Sequence, residues 1–175
     1  IDKLIKNNEM SLGNVIPNNI IERFSVSLDD SYLKSATNYF LPYDELLLNS
    51  HQIGFVDVDS DSDGIFRRVD LLRQYQGNVF SSLSFSTALS FFKPDSINFD
   101  KDHNLRLNNI TVPLAKDATY LVKMKNTFPV YSAGAVLQSM QSFYQGRVED
   151  MIISPEKFYN KIIFFGVSAA GTHDL

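Results

Sequence analysis

The stretch Asp57-Val58-Asp59-Ser60-Asp61-Ser62-Asp63-Gly64 separates two apolar runs, and its conformation decides what those runs become. Counted from Asp59, it fits D-x-D-x-D-G-x-x-x-x-x-D, with Asp70 in the twelfth position. Calcium takes about six to eight oxygen ligands, and alternate acids on a tight loop with a glycine supply them. An EF-hand loop stands between two helices, however, and closes on a bidentate Glu, which is a methylene longer than Asp70. Here Ile53 to Val58 leads in and Ile65 to Tyr75 (IFRRVDLLRQY) leads out, and both runs have the residue types of strands. Two strands joined through Asp, Ser and Gly are expected to form a β-hairpin. Gly64 would then take a positive φ, and the carboxylates would face solvent or pair with Arg67 and Arg68. The alternative is a calcium-binding structural or adhesive module. Its metal ligands would be Asp59, Asp61, Asp63 and Asp70, with Asp57 helping to clamp the hairpin.

Outward from this loop the pattern alternates between helical and extended periods. On the N-terminal side, Leu4 and Ile5 lie among polar residues in what reads as the tail of a helix, and Asn14 to Pro17 reads as a short strand stopped by proline. Ile20 to Leu28 (IIERFSVSL) alternates, with Phe24, Val26 and Leu28 on one face, and is expected to be a strand. Asp29 to Tyr39 is polar and reads as a loop with some helical turn. Pro42 to Asn49 suits a short helix with acids near its N-terminus. On the C-terminal side, Phe80 to Phe92 has helical spacing at Phe85, Ala88, Leu89 and Phe92, with Ser81 or Ser82 as N-cap.

Ile97 to Asn108 reads as a small hairpin turning at Lys101 to Asn104, and Ala118 to Met124 as a further strand. Tyr131 to Gln145 has the clearest helical stripe, formed by Ala133, Val136, Leu137, Met140 and Tyr144, with Ser132 to cap it and Gly146 after it. Ser154-Pro155-Glu156 opens another short helix. Ile162 to Phe165 is an unbroken apolar run, as expected of a strand buried on both faces. Helices alternating with strands predict an α/β fold, a mixed β-sheet flanked by helices. No linker or repeat divides residues 1–175, so a single domain is expected.

Composition removes several function classes. With 44% hydrophobic residues and 14 Phe, the chain has the material for a core, which excludes intrinsic disorder. A net charge of −4 argues against a nucleic-acid partner. The only basic pair is Arg67-Arg68, too little to bind an anionic membrane surface. There is no cysteine, hence no disulfide, thiolate metal site or cysteine nucleophile. No apolar run approaches the roughly 20 residues of a membrane span. The chain opens on Ile1 and reads as a piece of a longer protein.

No catalytic constellation stands out. Gly166-Val167-Ser168-Ala169-Ala170-Gly171 has a faint likeness to a nucleophile elbow, but position 170 is Ala where that turn needs Gly. As a dinucleotide loop it has Ser168 where a glycine belongs. His173 and Asp174 are sequence neighbours, a poor arrangement for a triad with Ser168. His51 and His103 are expected at the surface, and the chain is not expected to be an enzyme.

Three segments in order carry a resemblance. Gly54-Phe55-Val56-Asp57 running on through Asp61-Ser62-Asp63-Gly64-Ile65-Phe66-Arg67-Arg68 resembles the hairpin of the second CHASE family of bacterial sensor domains. Phe80 to Phe85 is similar to the helix that follows it in that family. Pro129-Val130-Tyr131-Ser132-Ala133-Gly134-Ala135-Val136-Leu137 is similar to a later family helix, with Gly134-Ala135 where Ala-Asp is frequent. Phe158 to Asp174 resembles the closing strand and turn. The matching positions are Gly54, Asp63, Gly64, Arg67, Gly166, Ser168, Gly171 and Asp174, and the resemblance is strongest over residues 54–175. It implies a fragment lacking the family's N-terminal unit and extreme C-terminus.

In function it implies a non-catalytic, ligand-sensing domain on the periplasmic or extracellular side of an inner-membrane protein. Its parent receptor would be homodimeric and anchored by flanking helices, with a cytoplasmic adenylate or guanylate cyclase, histidine kinase or other kinase as effector. The signal would be a small molecule or a protein, and no cofactor is implied. No ligand residue carries over from the family.

Overall fold

A computed structural model describes residues 16–28, 32–123 and 128–166. The chain divides into two compact units, Ile1–Lys123 and Met124–Leu175. Helices and small antiparallel sheets together make a mixed α/β fold.

The first unit opens with helix α1 (Asn18–Phe24), where the sequence predicted a strand from Ile20 to Leu28. The helical period wins because Ile16, Ile20 and Phe24, spaced by four, are all buried on one side. Pro17, held at φ −57°, supplies the carbonyl to which Ile20 and Ile21 N–H donate. Only β1 (Ser25–Val26) remains extended. Helix α2 (Asp44–Asn49) falls inside its expected range, with Asp44 and Glu45 at the positive end of its dipole. The Arg23 guanidinium donates to the carbonyls of Leu47, Leu48 and Ser50 at 2.9, 3.3 and 2.6 Å, satisfying the C-terminal end of α2. Ile16, Ile20, Phe24, Leu47 and Tyr75 form a small core between these helices.

The expected single strand from Ile65 to Tyr75 is two strands, β2 (Arg68–Asp70) and β3 (Leu72–Tyr75). At Leu71 the chain changes partners. β2 pairs antiparallel with β8 (Thr119–Leu121), and β3 pairs antiparallel with β4 (Asn78–Ser81). The β3–β4 hairpin turns on Gln76 and Gly77, at φ 49° and 78°, the two positive φ values of a type I′ turn. The sheet runs β1-β4-β3. Single parallel bridges extend it, Ser35 against Gln74 and Phe55 against Ser82.

Helix α3 (Leu83–Phe92) is capped by Ser82, whose Oγ accepts from Phe85 N–H at 3.3 Å, and ends on Lys93 in the left-handed region. A second three-stranded sheet, β5 (Ile97–Phe99), β6 (Leu105–Leu107) and β7 (Ile110–Val112), contains the expected hairpin and one more strand. Its β5–β6 turn is tied by Asp100, whose carboxylate accepts from the N–H groups of Asp102 and Asn104, both at 2.9 Å. The Asn104 N–H leads the interactions that hold the Asp100 carboxyl below the ordinary aspartate range. Leu33, Leu71, Leu72, Val79, Phe85, Leu105 and Leu107 close the main core, with Leu105 fully buried.

In the second unit, helix α4 (Ala133–Tyr144) begins after Ser132 as expected. Its expected apolar stripe is not its buried side, since Leu137, Met140 and Tyr144 are exposed while Ser139 and Ser142 are buried. The chain returns over the serine face because Ser139 Oγ accepts from Ile152 and Ile153 N–H at 3.0 and 2.9 Å, and Arg147 N–H donates to the Ser142 carbonyl. That hydroxyl also donates to the Ala135 carbonyl at 2.9 Å, so its polarity is satisfied. Two 3₁₀ turns follow, Val148–Asp150 and Pro155–Lys157, the latter at the expected Ser154-Pro155-Glu156. Ile162 to Phe165 is not the doubly buried strand its composition predicts. It pairs with no strand among the described residues and is exposed, Phe165 to 89%. A strand needs a neighbour for its N–H and C=O groups, and apolar content alone does not provide one.

Candidate functional site

The aspartate ladder turns without the flanking ladder expected of a hairpin. Phe55, before it, bridges Ser82, and Arg68, after it, pairs with Leu121. The turn is local: Asp61 N–H donates to the Ile65 carbonyl at 3.0 Å, and Gly64 N–H to the Asp61 carbonyl at 2.8 Å. Asp63 Oδ1 accepts from Ile65 N–H at 3.1 Å, and Gly64 stands at φ +79°. The turn chemistry anticipated from Asp, Ser and Gly is therefore present, while the strands that would make it a hairpin tip belong to other pairs.

Around this turn the charges sort into two groups, each centred on an arginine. At the tip, Arg67 donates to Asp63 Oδ1 and Oδ2 at 2.9 and 2.8 Å and to Asp61 Oδ2 at 3.2 Å. Arg68 approaches Asp61 Oδ1 at 3.7 Å. The Arg67 guanidinium, and after it the Ile65 N–H, hold the Asp63 carboxyl below its ordinary value, and Arg67 is raised in return. At the base, Arg73 Nε donates to Asp70 Oδ2 at 2.8 Å, and Lys34 Nζ stands 3.2 Å from Asp70 Oδ1. Arg73 also reaches Asp57 at 3.4 Å and Asp59 at 3.5 Å, and its guanidinium lies 4.8 Å from the centre of the Phe55 ring. Lys34 reaches Asp59 at 3.6 Å.

Burial distinguishes the two groups. The side chains of Asp70 and Arg73 are only 5% and 13% exposed, whereas both Arg67 and Asp63 are open to solvent. Surface pairs contribute about 0–1 kcal/mol each. A buried carboxylate that loses its partner is costly to the fold. Asp70 is placed by two strand registers, since it faces Thr119 across β2–β8 and lies next to the Leu71 switch. Lys34 comes alongside because the segment around it hydrogen-bonds to β3 through Gln74. Lys34 and Arg73 were not singled out from the sequence. An isolated lysine near residue 34 carries no signal of a partner 36 positions further on.

The four expected calcium ligands are thus split. Asp61 and Asp63 share Arg67, whereas Asp59 and Asp70 share Arg73 and Lys34. Among the described residues no three acidic or histidine side chains converge as a metal set. His51 and His103 are exposed, as expected. Gly166 is exposed, while Ser168, Gly171, His173 and Asp174 lie outside the described residues. Gly54 has a definite structural role. A Cβ there would lie 2.4 Å from the backbone nitrogen of Leu83, so the segment before the ladder reaches the start of α3 only with glycine.

A family model for the CHASE2 domain matches residues 3–175. The chain belongs to the CHASE2 domain family. CHASE2 domains are extracytoplasmic sensory domains rather than catalytic ones. The match begins well before Gly54, so the CHASE2 pattern also takes in the residues N-terminal to the stretch of strongest resemblance. Comparison with curated proteins and with solved structures returns no match. No helix among the described residues is long and apolar enough to cross a membrane.

Proposed function

We propose that this CHASE2 domain is the signal-receiving part of a bacterial transmembrane receptor and controls a cytoplasmic effector, a nucleotide cyclase or a kinase. The observation that carries this is the CHASE2 match over residues 3–175. In such a receptor the signal must bind two conformations of the domain with different affinity, because equal affinity shifts no population. A homodimer would let the two copies report that shift across the membrane through helices flanking the domain. The Asp70–Arg73–Lys34 group supports a role in holding one conformation, since it ties the segment before β3, the aspartate ladder and β2–β3 together.

The parent gene tests this proposal. It should encode membrane-spanning segments around the chain and a cyclase or kinase beyond them. Deleting the CHASE2 domain should change the effector's turnover in membranes. A reading frame that ends with this domain and carries neither segment would overturn the proposal.

A further inference from the structure

The β5–β6 turn, the turn before β8 and Tyr32 line a partly open cavity of about 280 Å³ that shares no residue with the aspartate ladder. Its inner surface is apolar: Phe99, Leu114 and Ala118 pack against the main core from this side. Another wall is aromatic, with the Tyr32 and His103 rings set edge to face at a centroid distance of 3.9 Å. Two lining residues, His103 and Ala118, hold left-handed backbone at φ 62° and 61° without being glycine. Each is fixed by its turn, His103 N–H on the Asp100 carbonyl at 3.0 Å and Ala118 N–H on the Ala115 carbonyl at 2.9 Å. Strained backbone of this kind gathers at ligand clamps.

The exposed rim carries one charge of each sign. Lys116 and Asp102 both line the cavity, and among the described residues neither side chain has an ion-pair or hydrogen-bond partner. The charges around the aspartate ladder, in contrast, are paired. At about 280 Å³ the cavity stands just under the roughly 300 Å³ at which small-ligand pockets begin, which suits one small molecule and is too little for a nucleotide or a long peptide. The rim charges, one of each sign, are complementary to a ligand that carries both a carboxylate and an ammonium, and the apolar floor is complementary to an apolar side chain.

We propose that this cavity binds a free α-amino acid with an aromatic or other large apolar side chain. The side chain would lie on Phe99, Leu114 and Tyr32, the α-carboxylate towards Lys116 and the α-ammonium towards Asp102. The proposal deepens the sensory function and rests on it for its consequence, although binding itself can be measured alone.

The test is calorimetric titration of the full 175-residue chain with L-phenylalanine, 3-phenylpropionate, phenethylamine and glycine. Phenylalanine should bind saturably, and each of the other three more weakly by about tenfold or more. Lys116→Met should remove the preference for phenylalanine over phenethylamine, and Asp102→Asn the preference over 3-phenylpropionate. Both positions are exposed, so neither change should disturb folding, and a thermal melt checks that. No binding by a chain that melts cooperatively, or binding indifferent to both substitutions, overturns the proposal. Binding with the expected sensitivities upholds it even if phenylalanine leaves the parent's effector unchanged, a result that would count against the sensory function alone.

Discussion

Asp70 and Arg73 hold the most consequential charges among the described residues, because they are the ion pair with least access to water. Replacing Arg73 by Met would leave Asp70 buried with Lys34 alone and should destabilise the first unit by about 3 kcal/mol. Arg68→Ala, at a 3.7 Å surface contact, should cost well under 1 kcal/mol. Urea denaturation of the two variants measures the contrast. Asp63 gives a pH signature of known sign. Its folded value lies below its unfolded one, chiefly through Arg67, so its contribution is full above about pH 4 and is lost as pH falls through the folded value. Asp63→Ala should therefore lower the urea midpoint at neutral pH and have no effect once the wild-type carboxyl is protonated. An unchanged difference in strong acid would mean the packing of the loop, not its charge, is responsible. Gly54→Ala should cost about 1–3 kcal/mol because its Cβ meets the backbone of Leu83, which cannot swing aside as a side chain could. Gly77→Ala meets no atom and should cost about 1 kcal/mol, from φ alone.

Elements whose period is local were legible in the sequence. The α3 helix with its Ser82 cap, the α4 helix after Ser132 and the β5–β6 turn fall where spacing, caps and turn residues place them. Elements defined by a distant partner were not. The Ile65 to Tyr75 run gives no sign that its pairing changes at Leu71, because an apolar strand looks alike whichever neighbour it has. Gln76-Gly77 is a weaker hairpin signal than Asn-Gly, and the β3–β4 turn passed unnoticed. In α1, alternation and helical spacing coexist, and Ile16 decides between them from outside the window that suggested a strand. The candidate site was half legible: the pairing of the ladder with Arg67 followed from proximity, whereas Arg73 and Lys34 arrive through sheet register. Because those cations already occupy the carboxylates, millimolar calcium should leave the melting temperature where it was. A rise in the wild type that Asp61→Ala abolishes would show that the loop exchanges arginine for metal.

At the scale of the whole molecule, the family match makes this a sensory domain rather than a catalytic one. The CHASE2 pattern extends across both compact units, from residue 3 to residue 175. The charge clusters of the first unit satisfy one another, and the cavity at the β5–β6 turn is lined by other residues. The second unit is organised by Ser139, which holds the returning chain against α4 with two accepted hydrogen bonds. The chain contains no cysteine, so one introduced thiol can report which side of the membrane the domain occupies. Ser62, exposed at the tip of the aspartate ladder, is the place for it. With Ser62→Cys in the parent protein, any cysteines beyond this domain first replaced by serine, cells permeabilised only at the outer membrane should react with a membrane-impermeant maleimide. Labelling that appears only after the inner membrane is lysed would contradict an extracytoplasmic sensor.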